Sequence, residues 1–248
     1  MQNSKLIRLL IFYSIAITLS NVFRFDLLNL RASIDKLPYW ITLFFSPMEA
    51  IGIVIGSLIA LYLLRKERKT EISMFGTSVK WSVIMSIIPI VLMTVIGIKN
   101  SKDADTHIYG FLAAITTFVY CYCEEIGWRG YLEEELKVFS SWKKIVIIAV
   151  LWYVWHLSFL QNHDVIANLK FFGWLLLGSW GIGKTVQLTK SIFAAACFHM
   201  IINIVMFNGY IKDGIEGNGK MIILGVSILL WILILRTWKK ETMVKTAS

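Results

Sequence analysis

The stretch VYCYCEEIGWRG, Val119 to Gly130, runs apolar and aromatic until it meets two adjacent glutamates, Glu124 and Glu125, with Arg129 four residues beyond the second. If the run is a membrane helix, those carboxylates are costly. An acid at bilayer depth costs about 3 kcal/mol on insertion scales, so such residues turn toward a protein interior and usually serve a function. The composition says that the run is a membrane helix: 57% of the 248 residues are hydrophobic and 17% charged, against roughly a quarter charged in soluble domains. The chain reads as a polytopic membrane protein.

Working outward, a spanning helix needs about 20 mostly apolar residues. Eight segments qualify: Leu6 to Phe23, Tyr39 to Leu64, Trp81 to Ile98, Ile108 to Cys123, Ile145 to Leu160, Leu169 to Ile182, Ile192 to Phe207, and Met221 to Leu235. The sixth is the weakest. The first follows Lys5 and Arg8 but no small-residue cleavage pattern comes after it, so it is kept as a membrane helix rather than a secretory leader. The expectation is an all-α membrane helix bundle of about eight transmembrane helices. Residues 1–248 form one integral membrane domain with its motif-bearing core at about 108–207.

The net charge of +9 could suggest nucleic acid. The basic residues are instead scattered singly or grouped beside spans, as in RKERK, Arg65 to Lys69, which fits anionic lipid headgroups and topology control. Most of the 25 Lys and Arg residues fall in segments that are cytoplasmic if the amino terminus is, so both termini are expected inside. The glutamate pair is then expected where the fourth span reaches the cytoplasmic side, with GYLEEELKVF, Gly130 to Phe139, as an amphipathic surface stretch. Three cysteines make neither a disulfide framework nor a zinc spacing.

Few polar residues fall inside the spans. Glu125 and Arg129 share a helical face and can pair, while Glu124 is rotated by about 100° and left for other work. LWYVWHLSFL places His156 one turn after Trp152 in the fifth span, and ACFHMIIN places His199 and Asn203 on one face of the seventh. Each has an ordinary reading alone: a helix-end ion pair, a packing histidine, an interhelical hydrogen bond. Together, on three helices, they would be expected to meet. Such a set can deprotonate water, hold zinc or stabilise an oxyanion.

EEIGWR fits the pattern EExxxR, WYVWH fits FxxxH with Trp152 in place of Phe, and HMIIN fits HxxxN. TKSI, Thr189 to Ile192, is similar to the T-G-S-I that precedes the last motif. Over roughly Ile108 to Phe207 the chain thus resembles the CAAX protease and bacteriocin-processing family (CPBP, also called Abi), relatives of the Ras-converting CAAX prenyl endopeptidase. The resemblance implies an eight-helix intramembrane endopeptidase acting on a membrane-associated peptide or protein. In it Glu124 and His156 would activate the attacking water, Glu125 and Arg129 would buttress it, and His199 with Asn203 would position or stabilise the oxyanion. The family has been described both as metal-dependent and as glutamate-type. HExxH is absent here, so no cofactor is assigned and zinc stands as the alternative.

Two rivals stay open: a non-catalytic immunity or regulatory protein of the same family, and a proton-coupled transporter, which the lack of inverted-repeat halves disfavours. GSWGIGKT, Gly178 to Thr185, matches the phosphate-loop pattern formally, but it ends a tryptophan-rich span with no strand before it, so no nucleotide is expected. His163 and Asp164 receive no role. The Ile/Lys/Asn-rich composition points to a bacterial plasma membrane, and to a peptide pheromone, leader peptide or bacteriocin as substrate ahead of a prenylated one.

Overall fold

Helices that are apolar on every face have no solvent side to orient them, so small residues and the few polar groups set how they pack. The computed structural model describes residues 3–64, 70–206, 211 and 213–247. Six helices long and apolar enough to cross a membrane come first: α1 (Ser4–Arg24), α2 (Tyr39–Leu63), α3 (Val79–Ile96), α4 (Thr106–Glu135), α5 (Ser141–Gln161) and α6 (Val165–Thr189). A shorter apolar helix, α7 (Ile192–Ile204), precedes a seventh long one, α8 (Gly219–Thr242). The described residues contain no strand, only a lone bridge between Ser73 and Ser191. The RKERK group and Phe207, the last residue of the seventh expected segment, lie outside the described residues.

The architecture is the expected all-α bundle, with seven helices of spanning length among the described residues rather than eight. The short one, α7, packs against α3, α4, α6 and α8. Its Ala194 to Cys197 are fully buried, so it lies sheathed by protein and need not reach from one lipid face to the other. The sixth segment, weakest in the sequence, forms one of the longest helices. Within it the phosphate-loop look-alike is continuous helix from Gly178 to Thr185.

Close approach is bought with glycine on the α1–α2 contact. A Cβ at Gly52 would sit 2.8 Å from the Ala16 carbonyl oxygen, and one at Gly56 would sit 2.8 Å from that of Phe12. Two apolar cores result. One gathers Met85, Cys121, Met200 and Trp231 from α3, α4, α7 and α8, and the other gathers Phe12, Ile53, Trp128, Trp152 and Ile182 from α1, α2, α4, α5 and α6.

Loop contacts define the two ends of the bundle. At one end Ser73 N donates to Lys190 O at 2.9 Å, Trp81 Nε1 to Glu241 at 2.9 Å, and Arg8 pairs with Glu135 at 3.0 Å. At the other, Lys99 N donates to Gly214 O at 2.8 Å and Lys102 Nζ to Asp35 O at 3.3 Å. The start of α1 and the last turns of α8 therefore share an end.

The glutamate pair is not at a helix end. α4 continues for ten residues past Glu125, and its backbone opens to π geometry over Ile126–Leu132. This turn is wedged against α2, where a Cβ on Gly127 would overlap Ile53. Most of the expected surface stretch is buried as well, with Lys137 and Val138 exposed at its end. Gly130 to Leu136 are all buried, because Glu133 pairs with Lys144 at 2.7 Å, Glu135 with Arg8, and Glu134 accepts from the Glu71 backbone N–H at 3.2 Å. Cationic and backbone partners from three other segments make that burial tolerable, which the heptapeptide alone does not announce.

Candidate active site

α4 brings Glu124, Glu125 and Arg129 to the centre, α5 brings Trp152 and His156, α6 brings Ser179, and α7 brings His199 and Asn203. Glu125 is the hub. Its Oε1 accepts a hydrogen bond from His199 Nδ1 at 2.8 Å, and its Oε2 lies 3.3 Å from Arg129 Nη1. All three residues are at most 2% exposed. Arg129 also donates from Nη2 to Ser179 Oγ at 3.4 Å, and its guanidinium stands 5.4 Å from the Trp152 ring centroid, within cation–π range.

Glu124 is 1% exposed and turned toward α5. Its Oε2 accepts from two indoles, Trp128 Nε1 at 3.1 Å and Trp152 Nε1 at 2.8 Å. The sequence leaves Glu124 without a partner. Its two donors are neutral indoles, whereas its neighbour Glu125 faces the Arg129 guanidinium.

His156 ends the straight part of α5. Its Nδ1 lies 2.8 Å from Trp152 O, and since a carbonyl only accepts, the neutral ring carries its proton there and offers its lone pair at Nε2. The same logic applies to His199, whose Nδ1–H is spent on Glu125. Both imidazoles therefore present Nε2, and both contact the Trp152 ring, at centroid distances of 6.1 Å for His156 and 4.9 Å for His199. Asn203 faces the same helix as His199 but a different group: its Nδ2 donates to Cys121 Sγ at 3.3 Å. Thiol sulfur is a weak acceptor, so that amide is loosely committed.

The three motifs are thus neighbours. Trp152 couples Glu124 to His156, bonding one through its indole and the other through its carbonyl, and Glu125 couples the first motif to the third. The sequence marks Trp152 only as the neighbour of His156 one turn on, and it singles out neither Trp128, Ser179 nor Cys121; the one usable signal is that Glu124 and Trp128 are four apart on one helical face. His163 and Asp164 lie in the turn between α5 and α6, where Asp164 caps α6 by accepting from Ile166 N at 2.8 Å. Among the described residues no group of three His, Cys, Asp or Glu is placed to hold a metal ion. A groove of ≈ 350 Å³ between α6, α7 and α8 is lined by Trp174, Phe198, Ile202 and Ile228 and floored by Gly178, where a Cβ would stand 3.7 Å from the Trp152 ring.

The fold and the centre define a class: a polytopic membrane bundle that encloses an acid–histidine–arginine site in its core. Residues 106–205, the segment that carries all three motifs, match the family model described as type II CAAX prenyl endopeptidase Rce1-like, and over that segment the chain is similar to the CAAX proteases. No curated protein and no solved structure matches the chain.

Proposed function

We propose that the chain is an intramembrane endopeptidase that hydrolyses a peptide bond of a membrane-associated peptide or protein with water activated by glutamate and histidine. The observation that carries this reading is the 2.8 Å contact between Glu125 and His199. It joins the first and third motifs into one unit and leaves His199 Nε2 aimed by a carboxylate that Arg129 holds in place. Glu124 takes a proton from water, aided by His156 Nε2, the oxygen attacks the peptide carbonyl, and the proton returns to the amine nitrogen as the C–N bond breaks. Asn203 Nδ2 turns from Cys121 to the developing oxyanion, with His199 beside it. The groove floored by Gly178 receives an apolar part of the substrate.

Purified protein in liposomes, offered membrane-inserted peptides with and without an isoprenoid tail, should release defined fragments. Glu124→Gln, which keeps the shape and removes the base, should abolish most of that release. A chelator arm separates side-chain activation from metal activation: fragments that persist assign the water to the side chains, and fragments lost to the chelator and restored by zinc assign it to a metal. A parent protein that cuts none of the peptides yet retains them equally well with Glu124→Gln would replace the enzyme by a binding protein.

A further inference from the structure

The histidine of the second motif stands at a helix end, and the group that secures this end belongs to no motif. α5 breaks at Leu157, whose φ of 49° is left-handed, so carbonyls in the last turn before it lack partners within the helix. Arg24, in the last turn of α1, supplies one. Its Nη1 donates to Trp155 O at 2.7 Å, its guanidinium lies 4.0 Å from the Trp155 ring centroid, and its Nε is 3.4 Å from Glu49 Oε2. Asn21 completes the cap: its Nδ2 donates to the same carbonyl at 3.3 Å while its Oδ1 accepts from Arg24 Nη1 at 3.0 Å.

Trp155 is fixed from its other side too, because its Nε1 donates to Ala16 O at 3.2 Å. Its ring stands edge-on to the His156 imidazole, 4.8 Å between centroids. An arginine near the end of a membrane helix normally extends its head toward water and headgroups. Here the side chain is only 12% exposed and is folded inward onto the residue beside His156. Glu49, which turns it, sits in the stretch of α2 where Ser46–Ala50 tightens to 3₁₀ geometry after Phe45.

We propose that Arg24, oriented by Asn21 and Glu49, is a positioning residue for the reaction: by capping α5 at Trp155 it fixes the direction in which His156 Nε2 points. The inference rests on the protease reading, in which His156 acts on the water. The partners of Arg24 are Trp155, Asn21 and Glu49, and as a positioning residue it acts through the end of α5, so its loss should lower turnover without weakening substrate binding. Lysine should restore part of the effect, since an ammonium reaches the carbonyl but cannot cover the indole and pair with Glu49 at once.

The test compares the parent, Arg24→Lys and Arg24→Met in liposomes, following peptide cleavage, thermal unfolding, and carbethoxylation of His156 by mass spectrometry, with exposed His163 as internal standard. Arg24→Met should lose about tenfold or more in kcat with KM within about twofold at a temperature where it is fully folded. Its His156 should also change in reactivity while His163 does not. The proposal is overturned by Arg24→Met with the parent's kcat, or by an activity loss that tracks the unfolded fraction with His156 reactivity unchanged. If the parent cuts nothing, the protease reading fails by itself, and His156 reactivity in the variants still decides whether Arg24 holds the ring.

Discussion

Two carboxylates one residue apart have been given opposite electrostatic surroundings. Glu125 faces a guanidinium and an imidazole, Glu124 faces two indoles, and the rotation between adjacent helical positions is what separates them. Arg129→Ala should therefore unfold the protein more easily by about 3–5 kcal/mol, the cost of stranding one member of a buried pair. Denaturation in detergent reads this, and a variant as stable as the parent would mean that His199 alone compensates Glu125. Asn203→Ala should cut kcat by about a hundredfold if its amide serves the oxyanion, whereas a twofold loss would reduce it to a packing partner of Cys121. The Glu125–Arg129 pair was legible because spacing of four specifies a contact on any helix. The partners of Glu124 were not all legible. Trp152 reaches it only because α5 is rotated to present that indole, and a tryptophan in a membrane sequence looks the same whether it faces lipid or an acid.

At the scale of the element, α7 is held where TKSI begins it. Thr189 Oγ1 accepts from Ser191 N at 3.2 Å, Ser191 Oγ accepts from Ala194 N at 3.1 Å as an N-cap, and Ser191 Oγ also lies 2.8 Å from Ser82 Oγ. That cap orients the helix on which His199 sits. Lys190 adopts φ 57°, the left-handed region that costs a residue with a Cβ about 1–2 kcal/mol and costs glycine little, and it occupies the place of the glycine in T-G-S-I. Lys190→Gly should accordingly raise the unfolding temperature, less the exposed pair with Glu71 that it gives up. The hydrogen bond and charge of Lys190 hold the Glu71 carboxyl below its ordinary range. A depressed carboxylate stabilises the fold above its unfolded pKa, and the contribution is lost as pH falls through the folded one. The glycine variant should then gain more over the parent in acid than at neutral pH, and an equal gain at both would show that the pair adds nothing. The helices themselves were readable from their apolar runs. The ends were not: the π turns after Glu125 and the burial of Glu133 to Glu135 depend on partners contributed by α1, α5 and the loop before α3, which no local pattern encodes.

Over the whole molecule, the shared end of α1 and α8 and the alternation of loop contacts between the two ends fix which loops lie together without saying which side of a membrane each faces. The basic residues decide that: with Lys and Arg concentrated at the end bearing both termini, that end should be cytoplasmic. Glu125 then lies ten residues short of the cytoplasmic terminus of α4 at Glu135, at most about 15 Å from that end at 1.5 Å per residue, so it is reached from within the helix bundle rather than at its end. A scissile bond has to be delivered to that depth, so peptides that partition into the bilayer should be cut and water-soluble versions of the same sequence spared. Single cysteines at Ser248 and Asp105, labelled in intact cells with an impermeant maleimide, test the map directly. The native thiols Cys121 and Cys197 are buried, and Cys123 lies within α4, so the background is low. The expected outcome is labelling at Asp105, beside the α3–α4 turn, and protection at Ser248 until the cells are opened. Labelling of both positions from outside would place the termini with the α3–α4 turn, contrary to the loop contacts. The reverse pattern would keep the bundle but invert it, putting the nearer mouth of the site on the extracytoplasmic face.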